Sequence, residues 1–269
     1  MDFFNCSKLV SPAKALSTTW DERSIINLDS TKICNDAQAY KLASLCDELY
    51  ASDTLFSLHN LDFATRYTIN ELSYKTPVYV GLVGNYSNHL AGTSDTNEDL
   101  TMFGRFAVRS LTLRQVMIDL RNLSEKSFMS VLKESSFPSI ITDAGLSGLY
   151  GKDILKPYQE KMLVDTGGII AINPTKNGLP ISDTAISIAD FIERYGSKNL
   201  ALSCLESKDK AIIKTLEMLK IYLFSYGVTQ EDIENIYYKN ITRFLTSFHI
   251  KSKIALADAG DATNLKQAN

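Results

Sequence analysis

VMIDLRNLSEKSFMSVLKESSFPSIITDAGLSGL, Val116–Leu149, reads as strand, helix and strand in succession. Val116–Leu120 and Ser139–Thr142 are short apolar runs. Between them, after Ser124, the residues Phe128, Val131 and Leu132 recur on one helical face. Apolar runs without polar alternation suit strands covered on both faces, the situation of a parallel sheet flanked by helices. The same kind of run recurs outward from this unit, at Asp2–Asn5, Ser24–Leu28, Thr54–Leu58, Val78–Val83, Ile169–Asn173 and Leu200–Cys204. Helical spacing appears at Ala37–Leu49, at Ser182–Tyr195 and after Thr229, where Ile233, Ile236, Tyr237, Ile241 and Phe244 follow.

Eight strands alternating with helices in a chain of 269 residues predict an α/β fold, a single-domain (β/α)8 TIM barrel. A doubly wound open sheet is the competing arrangement. It usually carries a glycine-rich phosphate loop after its first strand, and none is present here. The barrel is expected over residues 1–250. Asn85–Leu100 reads as a polar loop after the fourth strand, and residues 251–269 lose periodicity and read as a mobile C-terminal tail.

Composition narrows the function classes. The chain carries 28 Lys and Arg against 31 Asp and Glu, a net charge of −3, so it offers no electrostatic footprint for nucleic acid. No apolar run reaches the length of a membrane span, and the start, MDFFNCSKLVSPAK, lacks the layout of a secretory signal. Cys6, Cys34, Cys46 and Cys204 form no CxxC pair or dense framework, which favours a reducing, cytoplasmic setting. Histidine is scarce: His59, His89 and His249 are the full set.

The Val116–Leu149 stretch resembles the membrane (renal) dipeptidase family of metal-dependent amidohydrolase barrels. That family's pattern is V-D-L-S-H-x-S-E, followed about twenty residues on by P-V-I-x-S-H-S. LTMFGRFAVRSL, DTGGIIAINP and GVTQEDIENIYYKNITRFL resemble further family segments in the same order, and DFFNCS sits where the family has D-G-H-N-D-L. The resemblance implies two zinc ions, each held by imidazole or carboxylate donors at the C-terminal ends of strands. Carried over residue by residue, those positions fall on groups of the wrong kind. The first-strand His falls on Phe4 and the following Asp on Cys6. The bridging Glu falls on His59, the fifth-strand His on Asn122 and the sixth-strand His on Asp143. A substrate-holding His falls on Gly84 and the proton-carrying Asp on Leu205, while the Arg that grips substrate falls near Asp153, beside Lys152. Three histidines cannot fill four family histidine positions, so no sliding of the alignment restores the set.

The expectation is therefore a catalytically inactive dipeptidase-like barrel that serves as a binding or scaffold protein, with no cofactor and no metal. Its partner would be a peptide-like small molecule or a protein, with neither nucleic acid nor membrane involved. The alternative is a metal-independent or mononuclear enzyme rebuilt at the mouth from Cys6, His59, Asp143, Cys204 and Glu206, acting on a peptide-like or amide substrate. Each of these residues also has a plainer reading. Cys6 and Cys204 read as small buried hydrophobes, His59 as a neutral ring bonded to Asp143 or Asn122, and Asp143 with Glu206 as helix-capping carboxylates. Asn5, Asn85, Ser87 and Asn173 would line the mouth. The stripe TLEMLKIYLFSYG is the outer helix, whose Met218, Ile221, Tyr222 and Phe224 are also candidates for a homodimer face.

Overall fold

A strand–helix–strand unit must lay its helix back across the two strands to bury their shared apolar face, and repeated units of this kind line up parallel strands inside a layer of helices. The computed structural model has this architecture. It describes residues 6–9, 25–28, 56–75, 77–151, 154–174, 178–203 and 210–244. Eight strands stand in sequence order: β1 (Cys6–Leu9), β2 (Ile25–Leu28), β3 (Phe56–Leu58), β4 (Tyr79–Gly81), β5 (Met117–Asp119), β6 (Ile140–Ala144), β7 (Ile169–Ile172) and β8 (Leu200–Leu202). The described helices are α1 (Arg66–Lys75), α2 (Met102–Thr112), α3 (Glu125–Glu134), α4 (Pro157–Asp165), α5 (Ile181–Tyr195), α6 (Lys210–Ser225) and α7 (Gln230–Glu234). A π-helical turn, Asn235–Lys239, continues α7. The fold is an α/β barrel of the (β/α)8 type.

The beginning of the barrel departs from the expected regular pattern. β2 to β8 pair parallel throughout, but β1 runs antiparallel to β2, with Cys6 opposite Leu28. Cys6 thus opens a strand, and the strand expected at Asp2–Asn5 lies outside the described residues. Antiparallel neighbours need no helical crossover, and apolar runs carry no information about strand direction. The expected helix at Ala37–Leu49 and the tail at 251–269 also lie outside the described residues.

Alternation along the strands sorts side chains into two apolar bodies. Phe56, Leu58, Val80, Ile118, Ile141, Ile170, Ile172, Leu200 and Leu202 share one cluster with helix residues such as Leu111, Phe128, Ile188, Phe191 and Leu219. Their alternating neighbours Tyr79, Met117, Ile140, Ile169, Ala171 and Ala201 form a second, smaller cluster inside the ring. Met218, Ile221 and Phe224 on α6 are exposed, so the outer helix turns an apolar face to solvent as well as one inward.

Local chemistry sets the helices that frame the mouth. The Thr101 hydroxyl accepts from Gly104 N at 3.0 Å at the start of α2 and donates to the His89 carbonyl at 2.7 Å. Gly104 lies so close to the loop that a Cβ there would sit 2.0 Å from the Leu90 carbonyl oxygen, which only glycine permits. Glu134 on α3 accepts from Arg105 Nη1 at 2.7 Å and Arg109 Nε at 2.6 Å, which ties α3 to α2. The two guanidiniums, Arg105 first, hold the Glu134 carboxyl below its ordinary range.

Candidate functional site at the barrel mouth

β5 ends in Asp119, a carboxylate 1% exposed. Its Oδ1 accepts from Arg121 N at 3.1 Å and Thr142 N at 3.0 Å, and its Oδ2 accepts from Thr142 Oγ1 at 2.6 Å. Three hydrogen bonds make this buried charge tolerable. They also repair the ladder where β6 bulges between Ile141 and Ala144. Asp143 occupies that irregularity with φ +56, and Asn122 beyond β5 has φ +64. Asp and Asn are the side chains that best tolerate the left-handed region. Below, burial first and the Asp119 charge second push the Tyr79 phenol well above its usual pKa, so it stays neutral.

Arg121 lies between the two titratable groups that the family pattern had singled out. Its Nη2 donates to His59 Nε2, and its Nη1 lies 3.5 Å from Asp143 Oδ2. A guanidinium can only donate, so His59 must present an unprotonated Nε2 and carry its proton on Nδ1. The other oxygen of Asp143 accepts from Asn173 Nδ2 at 2.5 Å. The ring of His59 is thus bonded to Arg121.

Asn122 does different work. Its Nδ2 donates to the Gly84 carbonyl at 3.0 Å, and its own carbonyl accepts from Ser94 N at 2.8 Å. Together with a bridge between Thr93 and Leu123, this fastens the Asn85–Leu100 loop over the end of β5. The loop is internally bonded as well: Asn88 Oδ1 accepts from Leu90 N and Ala91 N, and the Ser87 hydroxyl accepts from Thr93 N. His89 serves the scaffold, donating from Nε2 to the Ala64 carbonyl at 2.8 Å and stacking on Phe103.

The mouth opens into a cleft of about 700 Å³ between the loop, the ends of β5 and β6, and the start of α4. Arg121, Asn122, Asp143, Asn85, Asp95 and Lys156 are among the residues that line it. At its edge, Glu125 accepts from Lys156 Nζ at 2.5 Å and from the Tyr158 hydroxyl. These two donors, Lys156 first, lower the Glu125 pKa, while burial and then Glu125 push Tyr158 up to about 12.

The structure therefore brings His59, Gly84, Asn122 and Asp143 to one end of the barrel. Cys6 is described by its backbone alone, opposite the mouth end of β2. Phe4, Cys204, Leu205, Glu206, Lys152 and Asp153 lie outside the described residues, and with them Cys204 and Glu206 of the alternative rebuilt site. Of the expected polar lining, Asn85 lines the cleft, Asn173 braces Asp143, and Ser87 is spent inside the loop. Arg121 is the residue that motif reading passed over. Its signal was present, since it stands in VMIDLRN where the family pattern has Ser.

A barrel whose strands β2 to β8 run parallel, with its polar groups gathered at their C-terminal ends, belongs to the class whose binding and chemistry reside at that face. Comparison with known proteins makes this specific. The model of the membrane dipeptidase family, peptidase family M19, matches residues 27–255, and the chain belongs to that family. The match opens inside β2, so DFFNCS, with Phe4 and Cys6, lies outside it. The fold is shared with a Rhodobacter sphaeroides metallo peptidase solved with a phosphinate mimic of the dipeptide L-Ala-D-Ala, at 16% identity and TM-score 0.63. That alignment covers 76% of this chain and 66% of the other. A Pseudomonas aeruginosa amidohydrolase is similar at 14% identity and TM-score 0.67, covering 83% and 88% of the two chains. Dipeptidase AC, a metallo peptidase of family M19, is similar at 17% identity and TM-score 0.61, covering 76% and 69%. No match was found among curated proteins. Among the described residues, no helix is long and apolar enough to cross a membrane.

Proposed function

We propose that this member of the membrane dipeptidase family binds without hydrolysing: a catalytically inactive barrel that acts in the cytoplasm as a binding or scaffold protein. The supporting observation is the guanidinium of Arg121 bonded to His59 and facing Asp143. A two-zinc centre needs imidazole and carboxylate lone pairs directed at dications at about 2.0–2.2 Å. Here the His59 Nε2 lone pair is already given to a cation. A dication about 4 Å from a guanidinium would be repelled by about 8 kcal/mol at an effective dielectric of about 20. Among the described residues, no group of three or more His, Cys, Asp and Glu side chains could hold a metal ion. The described residues do not fit a dinuclear centre.

Elemental analysis of the purified chain, paired with a dipeptide hydrolysis assay before and after chelation, tests this reading. Zinc well below one equivalent and no chelator-sensitive hydrolysis are expected. Two equivalents of zinc, with hydrolysis lost on chelation, would overturn it.

A further inference from the structure

Arg121 has five N–H groups, of which two are spent, on His59 and Asp143. The other three meet no acceptor among the described residues. The contact with Asp143 is long at 3.5 Å, where a tight guanidinium–carboxylate pair closes to about 2.7–2.9 Å. His59 contributes no negative charge in its neutral form. The side chain is only 18% exposed, so water screens little of this loosely matched cation, and Arg121 lines the cleft.

We propose that the cleft takes a small organic monocarboxylate with an apolar body, whose carboxylate caps the guanidinium of Arg121. The remaining N–H groups are charged donors for which a carboxylate is the matching acceptor. Phe128, Ile141, Ile154 and Leu155 provide apolar wall for the remainder of the ligand, and a volume of about 700 Å³ suits a small molecule. Charge sets the limit. Among the described residues, Asp95, Glu125 and Asp143 line the cleft against Arg121 and Lys156, three carboxylates to two cations. Lys156 is moreover paired with Glu125. A single negative charge directed at Arg121 is accommodated, whereas a multiply charged anion such as phosphate is repelled by the rest of the wall. The inference rests on the reading that Arg121, and not a metal, provides the positive charge at the mouth.

Calorimetry and thermal melting with hydrocinnamate, hydrocinnamyl alcohol and inorganic phosphate, at matched ionic strength, test it. Hydrocinnamate should bind saturably and raise the melting temperature, with the alcohol and phosphate at least about tenfold weaker. Arg121→Gln should weaken hydrocinnamate by about tenfold or more and leave the alcohol unchanged. Equal binding of acid and alcohol, tighter binding of phosphate, retained hydrocinnamate binding in Arg121→Gln, or no binding of any probe would each overturn the proposal. If Arg121→Gln does not fold, the comparison of the three probes on the unaltered chain decides alone. Zinc measured in the same preparation separates the two readings. Binding abolished by chelation would place the carboxylate on a metal and overturn the inactive-barrel reading too, whereas a zinc-free chain that ignores hydrocinnamate overturns this inference only.

Discussion

Between strands and helices, the apolar layer continues from β3 round to β8 and draws on every described helix from α1 to α7. Inside the ring the apolar cluster is small, and its members include Ala171 and Ala201. Towards the mouth it gives way to buried polar groups: Ser57, Asp119, Thr142 and Ser203. The outer layer gains stability from area alone and does not depend on which residues stand at the mouth. The inner column depends on particular hydrogen bonds, and at its top sit the few side chains on which chemistry would rest. A family fold can therefore persist while its mouth is rewritten, because the two regions share strands but not side chains.

Truncation in each region should separate them. Phe191 on α5 is fully buried in the outer layer and packs edge-on against Tyr195 at 5.0 Å. Phe191→Ala should cost about 3–5 kcal/mol in urea unfolding, the largest effect considered. Hydrocinnamate binding by the molecules that remain folded should be unchanged. A loss of binding in that variant would show that the outer layer and the mouth are coupled.

Asp119 tests the inner column. Asp119→Ala leaves Thr142 N and Arg121 N without their acceptor, which should cost about 2–3 kcal/mol and release the bulge that holds Asp143. Asp119→Asn keeps one oxygen for the two N–H groups and should recover much of that loss. Unlike Phe191→Ala, Asp119→Ala should weaken carboxylate binding beyond its effect on folding, because it frees the backbone that carries Arg121. Equal binding by the two variants would mean that Arg121 is held by His59 and Asp143 alone.

The outer layer is also the part that sequence periodicity reveals. The runs at Val78–Val83, Val116–Leu120 and Ile169–Asn173 contain β4, β5 and β7, and the spacing at Ser182–Tyr195 marks α5 to within a residue. α1 and α4 leave a weaker trace, because Arg66–Lys75 and Pro157–Asp165 are only weakly amphipathic. Strand direction leaves none, as antiparallel β1 demonstrates. At the mouth, family spacing placed His59, Asn122 and Asp143 together, but it addressed only positions where a ligand was expected. Arg121 holds a position with no family chemistry, so its role emerges only from the geometry. The loop at Asn85–Leu100 likewise reads as polar, yet its polar residues bond mainly to one another and bury Leu90, Ala91 and Thr93.

The smallest expected effect lies where the two regions meet. Ser124 caps α3 by accepting from Ser127 N at 3.0 Å, and its hydroxyl donates to the Glu98 carbonyl of the loop. Ser124→Ala removes a helix cap and should cost about 1 kcal/mol. The Glu98 carbonyl keeps a bond from Ser127 Oγ at 3.2 Å, so the loop end is not abandoned. Ser124→Ala should thus lower stability modestly and leave the cleft intact. Hydrogen exchange across residues 93–98 and 124–128 checks this: faster exchange confined to the first turn of α3 is expected. Faster exchange spreading through the loop would show that the Ser124–Glu98 contact, rather than the bonds from Asn122, fastens the loop, and the boundary between the two regions would then move into α3.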